Sequence, residues 1–264
     1  KILIKIMLER IIYKKCPLCS EQKINFYKTG NCSKHPLYNN KISSNIVWKK
    51  CEKCNHVFTE GYYSEKSLEL IFSKTNELQK VGGPVEQNRH ISSRIIEKII
   101  PFISSGIWLD VGFGNGSLLF TAKEYGFRSI GLDLRKKNVD EIKSLGIEAY
   151  CEDLESFKLK EKCSVISLAD VLEHTSFPKK ILDCCNKLLG DSGILFLSMP
   201  NSESIIWNMM NEKNVNIYWD ELEHYHNFSK SRLYSFLEEN GFKAVRYGVS
   251  ERYRVCMEVI AKKN

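Results

Sequence analysis

Residues 109–119 read LDVGFGNGSLL, and this stretch decides the fold. Its glycines stand at alternate positions, Gly112, Gly114 and Gly116, and an acid, Asp110, comes just before them. The apolar run 107–111 predicts a buried strand, and residues 117–125 predict the helix that follows it. A glycine-rich turn between a strand and a helix allows the backbone to approach a ligand closely. The stretch therefore predicts a ligand-binding loop.

Several ligand classes are bound by such loops, and the residues of this loop separate them. A P-loop requires a lysine after its glycines, and this loop has none. A dinucleotide fingerprint requires a third glycine at the position that Ser117 occupies here. Asp110 would repel a pyrophosphate, but it suits a cationic ligand. The loop thus favours a positively charged ligand such as a sulfonium cofactor.

Strands and helices alternate after residue 105. Further strands are predicted at 129–134, 148–151, 164–168 and 193–198, and helices at 138–145 and 179–189. This alternation predicts an α/β fold, a mostly parallel sheet with helices on both faces that binds ligands beyond the carboxyl ends of its strands. An amphipathic helix ending at Gly241 precedes two apolar stretches, which could form a closing antiparallel strand pair.

Acids close three successive strands of the predicted sheet. Asp133 lies 21 residues after Gly112, where a carboxylate can accept both ribose hydroxyls. Asp153 follows the third strand, where it can meet an adenine amino group. Each aspartate alone could be a helix N-cap, but three in this arrangement, with Asp110, are less easily explained that way. Together they describe an adenosine with a positive charge nearby, which is S-adenosylmethionine (SAM).

Several motifs now resemble one known family. LDVGFGNGSLL, GLDLR, EDLESF and VISLADVLEHTSFPKKILDCCNKLLGDSGILFLSMPN are similar to the successive motifs of class I SAM-dependent methyltransferases. Leu-Glu-His at 172–174 and Met-Pro-Asn at 199–201 resemble the subgroup that methylates small molecules, including quinone precursors and sugars. The resemblance covers about residues 90–260 and implies a Rossmann-like, mostly parallel seven-stranded sheet.

The resemblance also implies which residues contact the cofactor. They are Asp110, Gly112, Gly114, Gly116, Asp133, Leu134, Asp153, Leu154, Asp170 and Val171. The glycines would let the backbone approach the cofactor, Asp133 would hold the ribose, and Asp153 with Leu154 would hold the adenine. Asp110 would lie near the methionine ammonium, and Asp170 and Val171 would line the methionine end.

The N-terminal part carries two Cys-x-x-Cys pairs, Cys16 with Cys19 and Cys51 with Cys54. Two such turns can place four thiolates around one zinc ion, so they predict a small zinc ribbon with a structural metal. The 31 residues between the pairs exceed the usual gap. Asn55 suits the left-handed backbone that often follows the second cysteine, and Ser20 suits it less well. The ribbon is similar to those on some sugar-modifying methyltransferases.

The metal set has an alternative that includes Cys32 or His35 from the intervening loop. The cysteine pairs predict a zinc-ribbon module at 1–60, the helical periodicity predicts a helical linker at 61–90, and the resemblance implies a methyltransferase domain at 91–264. No apolar run reaches the roughly 18–20 residues needed to span a bilayer, and no secretory signal is expected. The cysteine arrangement indicates a reducing compartment, so we expect a cytoplasmic protein without a membrane partner.

The net charge of +7 is unevenly distributed. Residues 1–60 hold 12 Lys+Arg and 4 Asp+Glu, a balance of +8, and the remaining residues hold 27 and 28, a balance of −1. A basic module could meet nucleic acid or an anionic substrate, although a lysine-rich surface needs no partner. Nucleic acid is possible but not favoured, because no Asn/Asp-Pro-Pro-Tyr motif follows the fourth strand.

If the acceptor is a hydroxyl, a base must take its proton. The candidates are His174, just after the fourth strand, and His224 and His226, which would share a face on an extended segment. Each histidine could instead be purely structural. The segment 202–225 is a candidate lid, although its aromatic residues could equally belong to the core. Glu221, Glu223 and His224 could form a second metal site, but their spacing matches no particular metal-binding motif.

The sequence therefore predicts a methyltransferase that acts on a small-molecule hydroxyl, such as that of a sugar. One alternative is a methyltransferase on nucleic acid or protein that docks through the basic ribbon. The other is a non-catalytic SAM-binding module, because a missing base would be hard to recognise in sequence.

Overall fold

The structure is a computed structural model that describes residues 10–72 and 79–264. Its N-terminal ribbon, residues 10–62, contains the strands β1 (Ile11–Ile12), β2 (Ile24–Asn31), β3 (Asn45–Cys51), β4 (Val57–Thr59) and β5 (Gly61–Tyr62). The helices α1 (Glu65–Phe72) and α2 (Val85–Ile99) follow it. The predicted helical linker thus contains one complete helix and the first part of α2, and its residues 73–78 lie outside the described residues.

The remaining elements alternate as the sequence predicts. The strands are β6 (Ile107–Val111), β7 (Arg128–Leu132), β8 (Glu148–Tyr150), β9 (Cys163–Ala169), β10 (Leu189–Pro200), β11 (His226–Asn227), β12 (Phe242–Val249) and β13 (Cys256–Lys263). The helices are α3 (Ser117–Glu124), α4 (Lys136–Ser144), α5 (Pro178–Leu188), α6 (Ile205–Glu212) and α7 (Lys230–Glu239). Serine side chains cap the N-termini of α6 and α7, and Pro178 begins α5, as helix-start preferences expect.

Seven strands form the central sheet in the order β12-β13-β10-β9-β6-β7-β8. The strand β13 is antiparallel to both of its neighbours, and the strands from β10 to β8 are parallel. The predicted fold class and the predicted closing antiparallel pair are confirmed. Because the parallel strands all end at one edge, the loops after β6, β7, β8 and β9 meet there.

Successive residues of the central strands point to opposite faces, and each face is covered by helices. Trp108, Val165 and Phe196 pack under α2 and α3. Leu109 and Leu195 belong to the other face, which α5 and α7 cover. This two-sided burial explains why these strands are almost entirely apolar in sequence.

The N-terminal ribbon is joined to the larger region by strand pairing. The strand β11 extends the ribbon sheet, whose order is β11-β4-β3-β2, by pairing His226 with Phe58 and Asn227 with Val57. The ribbon also packs on the segment before β11, where a Cβ on Gly30 would lie 1.8 Å from the carbonyl oxygen of Trp219. Only glycine permits this approach. Among the described residues, no helix combines the length and apolar character needed to cross a bilayer.

Candidate functional site

The glycine loop lies between β6 and α3 and has left-handed backbone at Gly112, Gly114 and Gly116, with φ of 65°, 58° and 80°. The amide of Gly112 donates to the carbonyl of Leu132 at 2.7 Å, which ties the loop to the end of β7. A Cβ on Gly114 would meet no atom closer than 3.9 Å. Gly114 thus faces open space at the carboxyl edge of the sheet, where a ligand can contact bare backbone.

Gly116 has less free space around it than Gly114. A Cβ there would lie 2.6 Å from Cδ1 of Ile142 on α4 and about as close to the ring of Phe120. The left-handed backbone, with φ of 80°, is the feature that favours glycine here, because the atoms nearest to the added Cβ are the ends of side chains.

Asp133 follows β7 and is buried directly below the glycine loop. Its carboxylate accepts hydrogen bonds from the Gly114 amide at 3.2 Å and from Nε and Nη2 of Arg135 at 2.8 and 2.5 Å. The guanidinium of Arg135 also contacts Gln79 at 2.6 Å. A ribose at this carboxylate would share it with Arg135 or displace that side chain.

Asp110, on β6 just before the loop, is a buried carboxyl. It accepts a hydrogen bond of 2.5 Å from Oγ of Ser167, which in turn accepts one from the indole of Trp108 at 2.9 Å. Burial raises the pKa of Asp110 to about 7, against the smaller opposing effects of Ser167 and Arg252. A cation bound near this carboxyl would favour its ionised form.

Asp170, just after β9, has left-handed backbone with φ of 57°. Its carboxylate accepts from Oγ of Ser198 at 2.8 Å and forms an ion pair of 2.8 Å with Arg252. The neighbouring Val171 approaches the glycine loop, because a Cβ on Gly112 would lie 3.0 Å from its Cγ2. The turn between β12 and β13 thereby supplies a cation at the methionine end of the predicted site.

The three residues predicted near the ribose and adenine differ in exposure. Leu134 is 62% exposed at the mouth of the site, and the side chain of Leu154 is buried in the core. Only the backbone of Leu154 can therefore meet a ligand. Asp153 accepts a hydrogen bond from the amide of Ser156 at 2.7 Å, so one of its oxygens caps its own turn.

His174 and His224 come together with Glu173, and we name these three residues the Glu–His cluster. Glu173 and His174 lie in a 3-10 turn after β9, and the amide of Tyr225 donates to the Glu173 carbonyl at 2.9 Å, which brings His224 alongside. The centroids of the His174 and His224 rings are 4.7 Å apart. Glu173 is 1% exposed and His224 7% exposed.

Burial and charge act in different directions within the Glu–His cluster. Burial raises the pKa of Glu173 to about 8 and lowers the pKa of His224 to about 3. Burial alone would also lower the pKa of His174, but the nearby carboxylates of Glu173 and Glu223 outweigh it and raise that pKa. The three groups lie at the end of β9, close to Asp170.

His226 is separated from that cluster by its hydrogen bonds. Its Nε2 donates to the carbonyl of Thr175 at 2.9 Å, and its Nδ1 lies 3.0 Å from Nε2 of His56 in the ribbon. The ring is fully buried, and burial lowers its pKa to about 3. The expectation that His226 could serve as the base is corrected here, because both ring nitrogens are already bonded within the protein.

The candidate lid, residues 202–225, contains core residues. Trp207 and Trp219 are buried with Trp48 of the ribbon, whose indole donates to the Trp219 carbonyl at 2.9 Å. Nearby, His35 of the ribbon is hydrogen-bonded to Glu221, and Glu223 lies beside them. The aromatic side chains therefore attach the ribbon, and two acidic residues of the segment, Glu221 and Glu223, lie near the Glu–His cluster.

The four predicted zinc ligands converge. One sulfur from each of Cys16, Cys19, Cys51 and Cys54 lies within 4.8 Å of the other three. The closest pairs are 3.5 and 3.7 Å apart, close to the sulfur separation of about 3.8 Å in a tetrahedral site with bonds of about 2.3 Å.

The backbone at the two turns fits the same geometry. Ser20 and Asn55 both have left-handed backbone, with φ of 61° and 56°. Cys32 is buried elsewhere, with its thiol near the carbonyls of Ser43 and Ser44, and His35 is bonded to Glu221. The alternative metal sets with Cys32 or His35 are therefore not supported, and the four sulfurs suit a structural zinc.

Sequence reasoning missed Arg135, Arg252 and Glu173. Arg135 and Glu173 stand inside motifs that were singled out, but nothing local shows what their side chains contact. Arg252 lies in a turn 82 residues after Asp170, and only the folded sheet brings them together.

Comparison with known proteins agrees with this geometry. A family model described as a methyltransferase domain matches residues 85–247, more than half of the chain. A relative of known sequence, a ubiquinone biosynthesis O-methyltransferase of Coxiella burnetii, is 30% identical over 100 residues. That match covers 35% of this chain and 43% of the relative, so this chain spans under half the length of that relative.

Two solved structures are similar in fold. The 1,6-didemethyltoxoflavin-N1-methyltransferase of Burkholderia thailandensis, with S-adenosylhomocysteine bound, has a TM-score of 0.57 and 14% identity over 81% of this chain and 98% of that one. The magnesium protoporphyrin IX methyltransferase of Synechocystis has a TM-score of 0.54 and 18% identity over 68% of this chain and 84% of that one. At such identities the likeness shows the fold alone.

Proposed function

This chain belongs to the methyltransferase domain family, and on that premise we propose that it transfers a methyl group from SAM to a hydroxyl oxygen of a small molecule. One observation carries the proposal. Aspartates close four adjacent parallel strands at one edge of the sheet, around a glycine loop that faces open space. They are Asp153, Asp133, Asp110 and Asp170, after or at the ends of β8, β7, β6 and β9.

The residues fit SAM in that arrangement. Asp133 would accept the ribose hydroxyls, with Leu134 at the mouth, and the backbone of Leu154 with the second oxygen of Asp153 would meet the adenine. Gly112 and Gly114 would lie against the cofactor, and the left-handed backbone at Gly116 would turn the chain from the loop into α3.

The methionine end of the cofactor would lie among charged groups. Asp110, buried with a raised pKa, would be ionised by the ligand's positive charge. Asp170 and Val171 border the same end, and Arg252, paired with Asp170, could meet the methionine carboxylate. Bound SAM supplies a methyl group on a positively charged sulfur, and the chain's task is to align it with the acceptor and exclude water.

The acceptor side is assigned to the Glu–His cluster. Methyl transfer to a hydroxyl forms an oxygen–carbon bond, breaks the carbon–sulfur bond toward sulfur and releases the hydroxyl proton. His174 and His224 lie at the end of β9 and are the histidines near Asp170 with a ring nitrogen not bonded to another described residue. They would accept that proton or orient the oxygen that loses it. An oxygen acceptor is supported by the O-methyltransferase relative, and a sugar acceptor by the resemblance of the ribbon.

The ribbon would hold one zinc ion on Cys16, Cys19, Cys51 and Cys54. Four thiolates leave no open coordination position, so this metal would be structural. The basic surface of the ribbon favours a second candidate function, docking of a nucleic acid substrate, whose signature would be retention on RNA or DNA with a steep salt dependence.

The test is calorimetric titration of SAM and S-adenosylhomocysteine into the wild type, Asp133→Asn and Gly114→Ala. We expect micromolar binding by the wild type and an affinity at least roughly tenfold weaker in both variants. Asp133→Asn removes the carboxylate that would hold the ribose, and Gly114→Ala places a Cβ in the open space that the cofactor would occupy. Asp140→Asn, an exposed carboxyl on α4, is the matched control and should bind normally. Absence of binding by a folded wild type would overturn the proposal. Binding would justify a screen of sugar and phenol acceptors.

A further inference from the structure

We propose that the Glu–His cluster, Glu173, His174 and His224, binds a divalent transition-metal ion distinct from the zinc of the ribbon. One ligand atom from each residue lies within 4.8 Å of the other two. Two imidazoles and one carboxylate form a common ligand set for Zn²⁺, Fe²⁺ or Mn²⁺ and leave coordination positions open.

Unpartnered buried atoms point to a missing ligand at this place. Neither carboxylate oxygen of Glu173 has a hydrogen-bond partner in the part of the chain that the structure describes, and neither does Nδ1 of His224. Both side chains are more than nine-tenths buried. A buried carboxyl without any hydrogen-bond partner is costly even when it is protonated. A metal ion would satisfy the carboxylate and the imidazole together.

The tautomer of His174 is already fixed for metal binding. Its Nδ1 lies 3.1 Å from the carbonyl oxygen of Glu223, which can only accept, so Nδ1 carries the proton. The lone pair of Nε2 is then available. A backbone carbonyl that orients a histidine from its far side is the usual outer partner of a metal-ligating imidazole.

A neighbouring group of His35, Glu221 and Glu223 is as compact but is less suited to a metal. Nδ1 of His35 accepts from the amide of Leu37 at 3.2 Å, and its Nε2 is bonded to Glu221. Both nitrogens of that ring are therefore engaged. These carboxylates instead surround the Glu–His cluster with negative charge, which favours a cation there.

The position of the ion suggests its use. Glu173 lies three residues after Asp170, at the methionine end of the cofactor site. An ion with open positions would bind the acceptor oxygen and lower the pKa of its hydroxyl. The proton would then pass to water, and the oxygen would take the methyl group as the carbon–sulfur bond of SAM breaks toward sulfur. This use rests on the proposed function, whereas the binding of the metal does not.

The test counts metal ions in the full chain after stripping with a chelator and reloading with Zn²⁺. We expect about two ions per wild-type chain, one on the four cysteines and one on the cluster. Glu173→Gln, His174→Ala and His224→Ala should each retain about one. The controls His90→Ala and Glu152→Gln, both exposed, should retain about two. A wild type that holds only the thiolate-bound ion, or three variants that all keep two, would overturn the proposal.

Two further readouts separate loss of the site from loss of the fold. Loaded with Co²⁺, Glu173→Gln should keep the intense thiolate absorption of the ribbon and lose the weaker visible bands of the nitrogen–oxygen site. In a wild type whose four-cysteine site already holds zinc, further Zn²⁺ should raise the melting temperature. The same addition should leave the melting temperature of Glu173→Gln unchanged. SAM titration of the same samples measures cofactor binding independently of the metal count. A chain that holds about two ions and does not bind SAM would therefore contradict only the proposed function.

Discussion

At the scale of single residues, the protonation of the buried Asp110 carboxyl should affect the affinity for the proposed cofactor. Its pKa is raised by burial to about 7, so in the absence of a ligand the carboxyl is near half-protonated at neutral pH. A cationic ligand requires the ionised form. We therefore predict that the affinity for SAM rises between about pH 6 and pH 8, by at most roughly tenfold per pH unit below the pKa.

Calorimetry in buffers of different ionisation enthalpy measures both this slope and the proton released. Asp110→Asn should bind more weakly with no proton release, and a wild type whose affinity is flat over this range would contradict the prediction. The effect on stability has the opposite sign. Because the folded-state pKa lies above the ordinary aspartate value, the stabilisation from this group is full below about pH 4 and is lost as the pH rises through about 7.

The proposed cofactor residues could be singled out from sequence because their spacing is local. Asp110, Gly114 and Asp133 stand at strand ends that hydrophobic runs predict. Two details could not be read in this way. Arg135 is paired with the Asp133 carboxylate, and the side chain of Ile142 on the next helix fills the space beside Gly116. Both depend on how a loop and a helix pack, which no local pattern encodes.

At the scale of elements, β11 is the strand hardest to predict from sequence, and its pairing with β4 attaches the ribbon to the rest of the protein. It has two residues and pairs with the edge strand β4 of the ribbon. A strand this short shows no hydrophobic periodicity in the sequence. The long buried strands of the central sheet were predicted to within a few residues, apart from the longer β10. On β11, His226 is one of the candidate bases predicted from sequence, and its ring instead bonds the Thr175 carbonyl and His56 of the ribbon.

We predict that His226→Ala destabilises the protein without slowing the chemistry. The change leaves the Thr175 carbonyl and Nε2 of His56 without partners in a buried site and opens a cavity, a loss on the order of 3 kcal/mol. The melting temperature should fall by roughly 6–12 °C. Methyl transfer per folded molecule, assayed well below the melting temperature, should stay within about twofold of the wild type. A large fall in turnover with unchanged melting would restore His226 as a substrate-contacting residue.

At the scale of the whole molecule, the ribbon and the methyltransferase region share one interior. The core that contains Cys16 and Phe58 of the ribbon also contains Leu172, Phe228 and Phe236. A composition shift near residue 60 predicts a separate module, because charge and cysteine content change there. It does not predict the shared core, since the partners are more than 100 residues away in sequence.

This shared core predicts how the protein responds to zinc removal. Structural zinc sites contribute on the order of 10 kcal/mol in small domains, so losing the ion should unfold the ribbon and expose the apolar side chains beneath it. We expect Cys54→Ser, or chelation of the wild type, to lower one cooperative calorimetric transition of the whole chain by roughly 10 °C or more. Cys151→Ser, at an exposed cysteine outside the ribbon, is the control and should melt like the wild type. Two separate transitions, with the SAM-stabilised one unmoved by chelation, would mean that the ribbon is an independent appendage. A single shifted transition would mean that the metal stabilises the surface on which β11, and with it His224 of the Glu–His cluster, is held in place.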